Sequence, residues 1–389
     1  MYSPKNIDIL FFERPLVDLR KFAFKIAKEL KLLNKDLKLG AIALELPGPE
    51  EQTDVDYFYH RKEIKDIDSF LVSSGVNVIV FTQSRIPDLE FILHAKKLNI
   101  KTIMIQEGVM FDGMNINDVS ASNMIAILGY IPKVISYLNI LRRICVYDHR
   151  SFVKVIFHIL KIKKNITIII ANSFSTFLIG DYVLTMGDYW DDYYTNKLGY
   201  ASEQIRLIGD HDLDNFQSSN ENEAAICYIA NVLVEDGTVR KKDFDEFLKA
   251  FAEAVDKNTK LYIKLHPRSD HSLYDVFKDH KVEFIRIGKL PSVNLYVGHR
   301  SALLGRALYE SDNLIIWRFV NEEFCFYERF ATATCTNKEE LIRSIKNVDI
   351  TKRTNQKLEE IKKVYWNNPE GSIHSAARLI YDYSQGIKI

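Results

Sequence analysis

Residues 77–105, NVIVFTQSRIPDLEFILHAKKLNIKTIMI, place a run of strand-forming aliphatics at each end of a segment with helical apolar spacing. The end runs are short and apolar without alternation, the pattern of parallel strands covered on both faces. The stretch therefore reads strand, helix over 87–98, strand. The same alternation runs back towards the amino terminus as IDILFF, a helix around 17–33, GAIALEL and a helix around 62–74. It continues forward as DYVLTMG at 181–187 and IRLIGDHDLD at 205–214, then restarts with AICYIANVLV at 225–234. A helix near 241–256, KLYIKL, VEFIRI, NLYVG, a helix at 301–310 and NLIIW follow. Repeated strand and helix in this order predict an α/β chain of two Rossmann-like, doubly wound domains, facing each other across a cleft.

The polar segment 215–224, NFQSSNENEA, has linker composition and sets the expected boundary. The first domain is then 1–214, with a basic helical insert near 122–165. The second is 225–389, closed by two helices near 353–366 and 372–385. A chain of 389 residues has the length for two such domains, and 47 % apolar with 27 % charged residues describes a globular protein. Lys plus Arg and Asp plus Glu are equal at 52 each, so no net field favours nucleic acid as a partner. The cysteines at 145, 227, 325 and 335 lack the paired spacing of a zinc site or a disulfide framework. The amino terminus carries no basic stretch followed by an apolar core, and no run reaches the ~18 apolar residues of a membrane span. A cytoplasmic location is expected.

Unusual polar residues cluster just past the predicted strands, where an open parallel sheet builds its ligand crevice. Gln106, Glu107 and Gly108 follow KTIMI; Glu235, Asp236 and Gly237 follow AICYIANVLV. Lys264, His266, Pro267 and Arg268 follow KLYI, and Gly298, His299, Arg300 and Ser301 follow NLYV. Pro267 cannot donate to a sheet and holds His266 extended. An imidazole between two cations suits a departing phosphate, while Ser301 at a helix start either caps backbone amides or shares them with a bound anion. Two neighbouring carboxylates repel, which raises one pKa and makes Asp236 a candidate base beside Glu107. Asp54 with Asp56, Asp66 with Asp68, and Asp210 with Asp212 imitate a metal-binding Asp-x-Asp; the first two pairs lie away from strand ends and read as solvated surface.

The basic stretch 133–164 contains Lys133, Arg142, Arg143, Arg150, Lys154, Lys161, Lys163 and Lys164. It reads as a solvated helical face, as a contact with the anionic inner face of the cytoplasmic membrane, or as a groove for a polyanionic acceptor. Tyr189, Trp190, Tyr193 and Tyr194 read either as ordinary packing or as rings that stack on sugars.

The ordered set VEDGT, KLHPR and a serine at a helix start resembles the bacterial sialyltransferases, nearest to the polysialyltransferase and lipooligosaccharide branches. IPDLEFILHAKKLNIKTIMIQEG and GDYWDDYYTNKLGYASEQIRLIGD resemble a broader set of capsule and cell-surface polysaccharide transferases. The resemblance implies a GT-B fold and inverting, metal-independent transfer from CMP-sialic acid to a glycan in capsule or lipooligosaccharide synthesis, with no cofactor. It implies that protonated His266 donates to the CMP phosphate. Glu107 is the expected base, with Asp236 as the alternative. Lys264, Pro267, Arg268, Gly298, Arg300, Ser301, Glu235 and Gly237 are the expected donor-binding set. This chain has His299-Arg300-Ser301 where many polysialyltransferases carry adjacent serine or threonine residues. Other donors, CDP-glycerol, CMP-Kdo or a UDP-sugar, therefore stay open, as does a noncatalytic glycan-binding subunit.

Overall fold

The computed structural model describes residues 6–12, 19–48, 51, 53–82, 86–109, 124–162, 179–214, 223–286, 289–319, 326–352 and 356–389. Cys325, Lys163, Lys164 and most of the expected linker lie outside these residues. The chain divides into two units, Met1–Asp214 with Trp366–Ile389, and Asn215–Tyr365.

In the first unit the strands are β1 (Ile9–Phe12), β2 (Leu39–Ala43), β3 (Tyr57–His60), β4 (Val78–Phe81), β5 (Lys101–Ile105), β6 (Tyr182–Thr185) and β7 (Ile205–Leu207). They pair in the order β3-β2-β1-β4-β5-β6-β7, and every pairing is parallel. Its helices are α1 (Phe24–Leu33), α2 (Ile67–Ser74), α3 (Ile86–Lys97), α4 (Met124–Tyr147), α5 (Phe152–Ile162) and α6 (Asp191–Leu198). The expected βαβ reading of 77–105 is thus β4, α3 and β5, and the basic insert is the helical pair α4 and α5. Among the described residues, no helix is long and apolar enough to cross a membrane.

The second unit carries β8 (Glu223–Ile229), α7 (Lys241–Ala254), β9 (Leu261–Lys264), β10 (Val282–Ile285), β11 (Val293–Gly298), α8 (Leu303–Glu310), β12 (Leu314–Trp317), β13 (Ala333–Cys335), α9 (Lys338–Asn347) and α10 (Leu358–Val364). Its sheet runs β10-β9-β8-β11-β12-β13, again all parallel. Chain order reverses between β8 and β11, so the loops after these two strands flank the crevice where such sheets bind ligands.

Two boundaries differ from expectation. The strand read as AICYIANVLV ends at Ile229, because the loop that follows turns back on itself. In that loop the amides of Asp236, Gly237 and Val239 donate to the carbonyls of Val232, Val234 and Leu233. Gly237 sits at φ +70°, a left-handed conformation that glycine adopts without strain. The expected 225–389 domain also loses its last helix. Helix α11 (Ser372–Ser384) belongs to the first unit, where Ala376, Ala377 and Ile380 share a core with Ile26, Ala27 and Leu30 of α1. Asp214 caps its start by accepting the Ser372 and Ile373 amides at 2.7 and 3.1 Å. Helical periodicity announces an amphipathic helix but does not say which sheet its apolar face will cover.

Candidate functional site

The second unit brings four loops to the carboxyl edge of its sheet. Leu233 and Val239 are buried in the core and anchor the loop after β8, which carries Glu235 and Asp236 outward. The loop after β9 is short and closely bonded. The Leu265 amide completes the ladder to Ile285, the Arg268 amide donates to His266 Nδ1 at 3.2 Å, and the Ser269 amide donates to the His266 carbonyl. Arg286, just past β10, donates to the carbonyls of Pro267 and Ser269, both at 2.9 Å.

His266 is half-buried. Because Nδ1 accepts an amide proton, the neutral ring carries its own proton on Nε2. Burial lowers its pKa, and the positive charge of Arg268 lowers it further, while Asp236 and Glu235 pull the other way. At rest the ring is therefore the neutral Nε2–H tautomer, since protonating Nδ1 would cost the Arg268 amide its acceptor. This imidazole still presents a donor.

The expected cationic rim is thinner than its sequence. Lys264 is buried at 7 % exposure, burial lowers its pKa, and its Nζ donates to the Arg286 carbonyl at 3.4 Å. Arg268 grips Asp236 with two bonds of 2.6 and 3.1 Å. That bonding holds the Asp236 carboxyl below its ordinary range, opposite to the rise expected from repulsion with Glu235. A carboxylate so held accepts a proton less readily, which works against Asp236 as base. Glu235 faces elsewhere, accepting the Asp270 amide at 2.8 Å.

Across the crevice, Asn231 Nδ2 donates to the Arg300 carbonyl at 2.5 Å and ties the loop after β8 to the loop after β11. A Cβ on Gly298 would lie 2.9 Å from Leu304 Cδ2 and 3.5 Å from the Ile229 carbonyl, so glycine there lets α8 approach the sheet. The Ser301 hydroxyl accepts the Leu303 amide at 3.3 Å in the turn that leads into α8, whose N-cap position is Ala302. His299 is fully buried. Its Nδ1 donates to the Trp317 carbonyl at 3.0 Å, leaving Nε2 to accept from the Tyr228 hydroxyl at 2.9 Å. Burial pulls its pKa down to about 4. It is a neutral strut binding the ends of β8, β11 and β12.

In the first unit the loop after β5 carries Glu107, 11 % exposed, which accepts from Lys21 Nζ at 2.8 Å. Gln106 is structural: its Nε2 donates to the Gly108 carbonyl and its Oε1 accepts the Met186 amide. The acidic pairs have local explanations. Asp66 caps α2, Asp68 meets His94 and Tyr147, and Asp56 accepts from Lys31 and the Leu39 amide. Among the described residues, Asp210, His211 and Asp212 have ligand atoms within 4.8 Å of one another. Burial lowers the His211 pKa against the pull of Asp210, and the charges of Lys25 and Lys21, which also oppose a cation, add to the lowering. Trp190 and Tyr194 are buried and Tyr189 is exposed, so the aromatic cluster is mainly packing. Cys145, Cys227 and Cys335 are free and buried.

Asn231 and Arg286 escaped the sequence reading. Both carried a signal: Asn231 interrupts an apolar run with a strand-averse residue, and Arg286 ends a strand with charge as Lys264 does.

The sequence matches no protein-family model, and no curated protein matches it. Solved structures do. MurG of Acinetobacter baumannii aligns with 97 % of this chain and 100 % of its own, at 9 % identity and TM-score 0.52. A ugt transferase from Siraitia grosvenorii in complex with UDP aligns over 97 % and 99 %, at 10 % identity and TM-score 0.50. The wall teichoic acid polymerase TagF aligns over 98 % and 90 %, at 12 % identity and TM-score 0.50. The fold is GT-B.

Proposed function

We propose that this protein is a glycosyltransferase that moves a sugar from a nucleotide-activated donor to a glycan acceptor, with CMP-sialic acid as the favoured donor. The observation that carries this reading is His266: a half-buried imidazole, pinned through Nδ1, at the strand edge beside the topological switch point of a GT-B unit. Negative charge builds on the leaving phosphate as the glycosidic bond breaks, and a fixed Nε2–H donor stabilises that charge without reorganising. Glu107, at the strand ends of the first unit, is the carboxylate assigned to take the acceptor hydroxyl's proton. It is paired with Lys21, so release from that ion pair accompanies its action. The nucleotides named with solved structures of this fold include UDP, which keeps a UDP-sugar as the alternative donor.

Calorimetric titration with CMP, CDP, UMP, UDP and GDP tests the reading. Selective CMP binding supports the CMP-sugar donor, preference for CDP or UDP moves the assignment to another activated donor, and silence across the panel leaves a noncatalytic glycan-binding role.

A peripheral membrane contact is a second part of the proposal. Helices α4 and α5 expose Ile135, Leu138, Val146, Val153 and Phe157, and the same stretch of chain carries the exposed cations Arg142, Arg150 and Lys154. Exposed apolar side chains and cations in one segment suit an anionic bilayer surface. Flotation with vesicles containing phosphatidylglycerol, compared with neutral vesicles, is expected to recover the protein only with the former; equal recovery would remove this contact.

A further inference from the structure

We infer that Asp236, Arg268, Glu235 and Arg286 form a clasp that positions His266, so that the acidic pair serves as positioning residues and not as proton acceptors. This inference rests on the role proposed for His266 and deepens it.

The loop 265–270 is held from two sides. From the β8 side, Asp236 receives the Arg268 guanidinium in a two-bond fork, and Glu235 receives the Asp270 amide. Asp270 in turn caps the next turn of chain by accepting from the Ser272 amide and hydroxyl at 3.0 and 2.9 Å. From the β10 side, one guanidinium, that of Arg286, gathers the carbonyls of Pro267 and Ser269. Between these grips lies the contact that orients the imidazole, the Arg268 amide on His266 Nδ1. Arg268 is thus bonded through its side chain to the clasp and through its backbone to the ring. Moving the guanidinium moves the amide that sets the tautomer.

The geometry separates a clasp from a base. A base needs a pKa near its working range, whereas Asp236, with each oxygen bonded to the Arg268 guanidinium, is held below its ordinary range. The pair is solvent-facing, with the side chains 61 % and 43 % exposed, so it adds little stability. What a forked Arg–carboxylate pair supplies is direction. The buried feet at Leu233 and Val239 give the acidic loop a fixed base from which to hold that direction.

Because both partners are exposed, they can be exchanged. The test compares D236N, R268Q, the exchanged double variant D236R/R268D, and R286K, each with two readouts. The first, free of any donor, is the His266 side-chain nitrogen spectrum of histidine-labelled protein, assigned by the loss of its signal in H266Q. The wild type is expected to show the Nε2–H tautomer with an acceptor Nδ1. D236N, R268Q and R286K are expected to mix tautomers, and the exchanged variant to restore the wild-type signature. The second readout is turnover with whichever donor the nucleotide panel selects: about a 10- to 100-fold fall in kcat for each single variant, donor KM within about threefold, and recovery in the exchanged variant. A wild-type His266 spectrum in all three single variants would overturn the clasp, as would turnover lost in D236N, kept in R268Q and not rescued by exchange. If the panel is silent while the spectra shift as expected, the clasp stands and the transferase reading fails.

Discussion

The two sheets share the strand order 3-2-1-4-5-6, to which the first adds a seventh strand, but the two units hold their buried polar groups by different chemistry. In the second unit a group of rings, Tyr228, Phe244, Phe247, Phe251, Tyr274, Phe277, Trp317 and Phe319, lies within the core. That packing reaches the strand ends, where the His299 ring stacks on Phe319 at 5.0 Å. The first unit also buries aromatic rings, Phe70, Phe91, Trp190 and Tyr194 among them, but there a buried carboxylate is held by charge: Glu90, 3 % exposed, is gripped by Arg143 at 2.5 Å and Arg61 at 3.3 Å. Rings and backbone bonds form a rigid platform that charge screening leaves intact; ion pairs are salt-sensitive and cost desolvation. The comparison teaches that the buried polar side chain of the second unit, His299, is held by neutral hydrogen bonds and rings, whereas that of the first, Glu90, is held by charge.

The largest effect should come from the group that the platform serves. H266A is expected to lower turnover by about 10²- to 10⁴-fold while nucleotide affinity changes little, because its donor bond strengthens only as charge builds on the phosphate. Steady-state kinetics with parallel nucleotide titration checks this, and unchanged turnover would break the assignment. Removing the strut comes next. H299A leaves a cavity and two unpaired polar partners, the Tyr228 hydroxyl and the Trp317 carbonyl, and is expected to cost about 3 kcal/mol in denaturant unfolding.

The same residue predicts an acid limb. With the folded pKa near 4 and an unfolded value of about 6.5, the unfolded chain binds a proton that the folded chain refuses between these values. Stability is then full above about pH 6.5 and falls by roughly 3 kcal/mol as the pH drops towards 4. H299Q should flatten this limb in pH-dependent unfolding. In the first unit, E90Q is expected to cost about 2 kcal/mol, and the wild-type minus variant difference should shrink at high salt. A loss from E90Q larger than that from H299A would reverse the contrast between the units. The smallest effect belongs to Gly237: G237A should cost about 1 kcal/mol, because an L-residue is strained at φ +70°.

Legibility in the sequence varied with the range of the interaction. Residues 77–105 announced β4, α3 and β5 because strand and helix differ in apolar period within a dozen residues. The short strands β3 and β13, at Tyr57–His60 and Ala333–Cys335, went unread because three or four residues carry too little pattern. Polar residues at strand ends pointed to the loops around His266, yet the fate of each was hidden. Asp236 next to Glu235 read as a repelling pair, but the carboxylate found Arg268 instead, a partner from the next strand's loop.

The amino-acid order by itself determined two rounds of strand and helix, and it concentrated titratable groups where strands end. Folding decided which of those groups meet. It put α11 against α1, turned His299 inward to a Tyr hydroxyl and a Trp carbonyl, and locked His266 Nδ1 onto a backbone amide. The reason is physical: periodicity is written in neighbouring residues, whereas a hydrogen-bond partner is chosen by whichever distant segment the packed core delivers within 3 Å or so.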